Sequence, residues 1–168
     1  MALASSLSKP FTRKGLYMKN TSLCYIFSGD KVLLLHKNVK KDLNFEKWLG
    51  VGGKFLEDES PFDCVLREAK EETGLTLKNP LYRGIVTFVS DRYESEQMHL
   101  FTCDDFEGTL SDCDEGELLF LEKEKLFTLP AWEGDKIFLE LILKDSPFFS
   151  LKLVYEGEKL VEHKLIFI

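Results

Sequence analysis

One stretch of the chain is punctuated at both ends as a helix. Ser60 offers an N-cap hydroxyl, Pro61 suits the first helical position where no amide donor is needed, and Asp63 completes a capping-box spacing. Gly74 supplies the stop. Between them Phe62, Val65, Leu66 and Ala69 recur at helical spacing and predict an apolar face. Glu68, Glu71 and Glu72 stand at i, i+3 and i+4, so their three carboxylates share a different face. A fold built on this helix has to turn one side into the core and keep the other for solvent or a site.

The carboxylate face is electrostatically costly. Like charges at this spacing cost about 0.2–0.5 kcal/mol per pair in an isolated helix. All three sit toward the C-terminal end, where the helix dipole disfavours a negative group by roughly 0.3–1 kcal/mol at a surface. Arg67 and Lys70 give partial relief. A divalent cation would give more, and hard oxygen donors suit Mg²⁺ or Mn²⁺. From these residues alone, a solvated glutamate-rich face and a metal site carry equal weight.

The rest of the chain supplies mostly strands. Residues 22–28 and 31–36 predict a hairpin around Ser28-Gly29-Asp30, and residues 38–47 a polar loop. Trp48-Leu49-Gly50-Val51-Gly52-Gly53 is rich in glycine, which suits a sharply bent backbone or one that approaches a ligand closely. Further strands are predicted over 81–90, 97–103 and 117–121, a helix across 132–144 ending before Pro147, and a last hairpin of 149–155 with 160–167. Strands mixed with about two helices predict an α/β (α+β) chain, an α/β/α sandwich around a mixed sheet. Residues 1–20 read as a flexible N-terminal extension and 21–168 as one domain; residues 1–17 lack any acidic residue, and Met18 could itself be a start.

Composition narrows the function classes. A formal net charge of −7 argues against gripping long nucleic acid by charge, but not against a nucleotide whose phosphates meet the carboxylates through metal. No apolar run approaches the ~18 residues of a membrane helix, and no secretory leader is evident, so the expectation is a cytoplasmic protein without a membrane partner. Cys24, Cys64, Cys103 and Cys113 form no C-x-x-C pair and do not cluster with His36, His99 or His163; they read as reduced structural thiols rather than a zinc site. The oligomeric state is not fixed by any of this.

The wider spacing around the helix is more specific. Gly53, five residues, Glu59, seven residues, then Arg67-Glu68-Ala69-Lys70-Glu71-Glu72-Thr73-Gly74-Leu75 resembles the Nudix box, G-x5-E-x7-R-E-U-x-E-E-x-G-U with U bulky and apolar. Seven fixed positions match, which chance would produce on the order of once in a billion windows. Ala69 departs from the pattern, being small where a larger aliphatic is usual, and reads as a packing variation. The segment Trp48–Gly53 and residues 132–157 resemble MutT-like oxidised-purine triphosphatases of the same family.

That resemblance implies a Nudix-type sandwich, a divalent metal and hydrolysis of a small nucleotide to monophosphate and pyrophosphate, as in 8-oxo-dGTP diphosphatases. It implies Glu68, Glu71, Glu72 and the Gly52 carbonyl as metal ligands, Glu59 as support for that cluster, and Arg67 as the residue that orients its carboxylates. Glu115 is the candidate general base or extra ligand, with Asp112, Asp114 and Glu117 as rivals, against a plain solvated acidic loop. Trp132 is the candidate to stack on the base and Asp135 to test its edge, against simple core packing for Trp132. Leu49 stands where the oxidised-purine enzymes place a base-contacting Asn, and Gly134 where they place a second carboxylate. ADP-ribose, a dinucleotide polyphosphate or another diphosphate is the alternative substrate class; a nucleotide sensor without catalysis is the third reading.

Overall fold

The computed structural model describes residues 18–168. The expectation for residues 1–17 falls outside them. The first strand, β1 (Lys19–Ser28), begins two residues before the expected domain start. Then follow β2 (Lys31–Lys37), β3 (Trp48–Leu49), β4 (Val51–Lys54), α1 (Pro61–Thr73), β5 (Thr76–Leu77), β6 (Leu81–Ser90), β7 (Glu96–Cys103), β8 (Phe106–Glu107) and β9 (Gly116–Glu122). A 3-10 turn over Lys123–Phe127, α2 (Asp135–Leu143), β10 (Phe149–Glu156) and β11 (Lys159–Phe167) complete the order.

Nine of the strands form one mixed sheet in the order β11-β10-β6-β7-β1-β2-β3, with β4 paired to β1 and β9 to β2. The pairs β1/β7 and β6/β10 are parallel and the others antiparallel. One edge of β1 is shared: its first half pairs with β4 (Leu23 opposite Gly52) and its end with β2 (Ile26 opposite Leu33). This fork opens the sheet beside the glycine-rich segment.

Period-2 alternation along β1 divides the core. Leu23 and Tyr25 join the cluster under α2, with Phe88, Phe138, Leu139, Leu151 and Leu153. Cys24 and Ile26 join the cluster under α1, with Val51, Val65, Ala69 and Phe101. With a helix on each face, the expected α/β/α sandwich is what the chain forms. The four cysteines are free thiols, three of them buried. No helix of the described residues is long and apolar enough to cross a membrane.

Helix α1 starts and stops where its punctuation predicts. Asp63 N–H donates to Ser60 Oγ at 3.2 Å, and Ser60 N–H donates to Asp63 Oδ2 at 2.9 Å. Gly74 closes the helix at φ 78°, a left-handed conformation that glycine adopts without penalty. The buried arc differs from the expected stripe: it is Cys64, Val65, Ala69, Glu72 and Thr73, while Phe62 and Leu66 stay 43% and 39% exposed. Phe62 instead packs edge-on against Tyr82 and Phe101 at the helix entry. Ala69 is wholly buried, so its small side chain sets α1 close against the sheet.

Candidate active site

Close packing of α1 on β4 brings the carboxylate face beside the glycine-rich strand. A Cβ on Gly53 would stand 2.5–2.6 Å from the carboxylate atoms of Glu68, so a side chain there would displace that group from its present position. Gly52 N–H donates to Glu72 Oε2 at 3.2 Å, tying the strand to the last turn of α1.

Arg67 organises the acidic cluster. Its Nε and Nη2 donate to the two oxygens of Glu59 at 2.5 and 2.9 Å, a two-pronged pairing that fits the planar guanidinium. Nη1 donates to Glu68 Oε1 at 2.7 Å and to Glu71 Oε2 at 3.1 Å, and Nη2 also to the Lys54 carbonyl at 3.0 Å. The Arg67 hydrogen bonds hold the Glu59 carboxyl down at about 2, and Glu59 reciprocally raises Arg67. Glu59 also accepts from Leu56 N–H at 2.8 Å, which fixes the loop before the helix.

Glu72 is the buried member of the set. Burial pushes its carboxyl up to about 8 and the Glu115 charge adds to this, while Lys37 and the Gly52 amide oppose it. Lys37 donates a short hydrogen bond to Glu115 and lies 3.8 Å from Asp42. Burial alone would lower Lys37, but hydrogen bonding to Glu115 and the charges of Glu115, Asp42 and Glu72 leave it raised.

A cleft of about 350 Å³ joins these groups to the expected base-binding residues. Gly52, Gly53, Glu68, Glu72, Lys37 and Glu115 line one part, and Leu49, Trp132 and Asp135 line another. Of the four acidic candidates at and before the start of β9, only Glu115 lines this cleft; Asp112 and Glu117 border a different depression, and Asp114 is exposed. Glu59, Arg67 and Glu71 do not line the cleft, and the Glu71 side chain is 60% exposed.

Trp132 lies three residues before α2, outside the helix expected to contain it, and is only 6% exposed. Its Nε1–H donates to Asn44 Oδ1 at 2.9 Å, Lys47 Nζ lies 4.7 Å from its ring centre, and Phe88, Tyr93 and Tyr155 meet it edge-on. It is thus a packed residue with one side on the cleft. Asp135 opens α2, its amide donating to the Trp132 carbonyl at 3.0 Å. Burial pushes the Asp135 carboxyl up to about 7, against the opposing effects of the Trp132 backbone and the Lys47 charge.

The donor set fits a hard divalent cation in kind: all oxygen, with crowded carboxylates that such an ion would relieve. The space that Gly53 leaves for Glu68 is part of that fit. Among the described residues no three His, Cys, Asp or Glu side chains converge on one point as they stand. Arg67 donates to an oxygen of both Glu68 and Glu71.

Several lining residues are absent from the sequence reading: Lys37, Asn44, Phe88, Glu96 and Met98. Lys37 is one of several lysines in a polar stretch, and nothing in its spacing sets it apart. Glu96 did carry a signal, since it takes a core-facing place in a strand whose alternate residues Met98 and Leu100 are apolar.

Comparison with known proteins places the sequence and the fold. Residues 17–141 match the NUDIX domain family. The chain is 32% identical over 155 residues to the Nudix hydrolase YvcI of Bacillus subtilis (strain 168), covering 89% of this chain and 95% of that one. It is 28% identical over 148 residues to the oxidized purine nucleoside triphosphate hydrolase of Danio rerio, covering 88% and 94%. Among solved structures, a MutT protein from Bacillus halodurans superposes with a TM-score of 0.78 at 28% identity, over 88% of this chain and 97% of that one.

Proposed function

The chain belongs to the NUDIX domain family and is a phosphoanhydride hydrolase, and from that premise we propose that it cleaves purine nucleoside triphosphates, oxidised ones included, to monophosphate and pyrophosphate. One observation carries this reading: a single cleft is lined by Glu68, Glu72 and Glu115 and also by Trp132 and Asp135. Its volume of about 350 Å³ is of small-ligand size. The Danio rerio relative, an oxidized purine nucleoside triphosphate hydrolase, supports the substrate class.

In this reading Glu68, Glu71, Glu72 and the Gly52 carbonyl hold Mg²⁺, with Mn²⁺ as a substitute. When bound, the cation supplies charge neutralisation of the phosphate oxygens and a more acidic water. Glu115 accepts the proton of the attacking water, and Lys37 keeps that carboxylate aimed at the cleft. Arg67 and Glu59 act as positioning residues, since neither lines the cleft: Arg67 holds Glu68, which does, and Glu59 holds Arg67. Asp135 accepts hydrogen bonds from the purine edge, Leu49 borders the base, and Trp132 offers its cleft side for stacking. Lys47, which lies over the Trp132 ring, has to make way for a base stacked on that face.

The test is a Mg²⁺-dependent panel of 8-oxo-dGTP, 2-oxo-dATP, dGTP, ADP-ribose and a diadenosine polyphosphate, with Glu72→Gln as the blank. Preference for a purine triphosphate, abolished in the variant, supports the reading. Activity confined to ADP-ribose or the dinucleotide retains the metal chemistry and discards the base-pocket roles. Silence across the panel, with nucleotide binding retained, favours a sensor.

A further inference from the structure

The far end of the cleft contains a buried acid for which the proposed chemistry has no use. Glu96 is 8% exposed and heads β7, with Met98 and Leu100 following on the same face. In the sheet ladder it stands opposite Phe88 of β6 and Lys19 of β1. Phe88 meets Trp132 edge-on at 5.4 Å, and Asp135 follows Trp132 by three residues. Glu96 and Asp135 therefore line one cleft, Glu96 from the sheet and Asp135 from the start of α2, together with Phe88 and Trp132.

Neither acid has an ion-pair partner among the described residues. The lysine beside Glu96, Lys19, reaches instead to Glu94 at 3.9 Å. Packing does not require an acid here: a residue like Met98 would fill the place without the cost of burying a carboxyl group. Burial raises Glu96 and the Glu94 charge adds to this, while Lys19, the Thr21 hydroxyl and Lys54 oppose it. The Glu96 charge in turn is among the effects that raise Asp135. Two buried carboxyls without an ion pair, lining one cleft beside Phe88 and Trp132, suit a flat ligand with N–H donors.

We propose that Glu96 is a specificity-determining residue that works with Asp135 to select purines carrying an exocyclic amino group next to a ring N–H. This rests on the purine nucleotide reading above and adds the identity of the base edge. Asp135 accepts from one donor and Glu96 from the other. A base lacking the amino group leaves one of these buried acceptors unmet, and sites built on hydrogen bonds discriminate strongly against such analogues.

The test is steady-state kinetics of the full chain with Mg²⁺ on dGTP and on dITP, which differs from it by the missing amino group. Wild type, Glu96→Gln and Glu96→Met are compared through the ratio of kcat/KM for the two substrates. That ratio cancels any difference in the folded fraction of a preparation. The expected result is a wild-type preference for dGTP that falls by about tenfold or more in Glu96→Met, with Glu96→Gln between them because its amide still offers an acceptor. An unchanged ratio, including one from equal loss on both substrates, overturns the proposal and leaves the nucleotide reading standing. A wild type that hydrolyses neither substrate while active on ADP-ribose removes the nucleotide reading and this proposal with it.

Discussion

Asp135→Asn is the substitution whose stability effect follows most directly from the site. The carboxyl is buried, and its pKa rises from 3.8 to about 7. Between those values the folded protein binds a proton that the unfolded chain has released. Stability conferred by the neutral form is therefore complete below about pH 4 and is lost as pH rises toward 7. At about 1.4 kcal/mol per pH unit, the loss amounts to roughly 4 kcal/mol by pH 8. Asparagine has nearly the same shape and no charge to desolvate, so the variant escapes this penalty. Urea unfolding of both proteins at half-unit steps from pH 4.5 to 8.5 is the assay. The variant is expected to exceed wild type by only about 1 kcal/mol near pH 4.5 and by about 2–4 kcal/mol at pH 8, or roughly 4–16 °C in melting temperature at the higher pH. Glu72 and Glu96 are raised in the same direction, so the difference between the two proteins, rather than either curve alone, isolates residue 135. A difference that stays constant with pH would refute the reasoning. The gain in stability should accompany a loss of activity on purine triphosphates, as is common where a strained group serves function.

Other consequences can be checked on the same protein. Arg67→Lys keeps the charge but loses the paired contacts to Glu59 and Glu68, and should lower Mg²⁺-dependent kcat by about 10- to 100-fold with little change in the far-ultraviolet spectrum. Gly53→Ala places a methyl group where the Glu68 carboxylate sits, and should cut activity by at least about tenfold, as expected when a supporting position around metal ligands is disturbed, while a thermal melt remains cooperative. Lys37→Met removes a charge that lowers the Glu72 carboxyl, so that group should rise further and the acidic limb of the kcat/KM profile should move to higher pH. Trp132→Ala empties a packed position bordered by Phe88, Tyr93 and Tyr155, and should cost about 3–5 kcal/mol in denaturant unfolding.

Local signals explain which parts were legible in the sequence. The caps of α1 were readable because Ser60, Asp63 and Gly74 act within a few residues of themselves. The box spacing identified the family because its positions answer to one helix and one preceding strand. The buried arc of α1 was harder: Phe62 and Leu66 have the right spacing but lie at the edges of the contact, where the sheet no longer covers them. The segment Trp48–Gly53 read as bent backbone, yet it contributes β3 and β4, because β2 and the fork in β1 supply ladder partners that no local pattern shows. Glu115 was preferred over Asp112, Asp114 and Glu117 only through the family resemblance, since all four share one acidic stretch and no local pattern shows which carboxylate the chain turns to the cleft. Lys37 and Asn44 reach the site from a polar loop and strand end, where long-range packing rather than composition decides direction.

The most direct test of the central claim is the identity of the phosphorus products when the wild-type protein and Glu72→Gln act on 8-oxo-dGTP and dGTP with Mg²⁺, followed by phosphorus NMR. The account predicts pyrophosphate and the nucleoside monophosphate from wild type, and neither from the variant. Orthophosphate with the diphosphate, or equal turnover by Glu72→Gln, would contradict it.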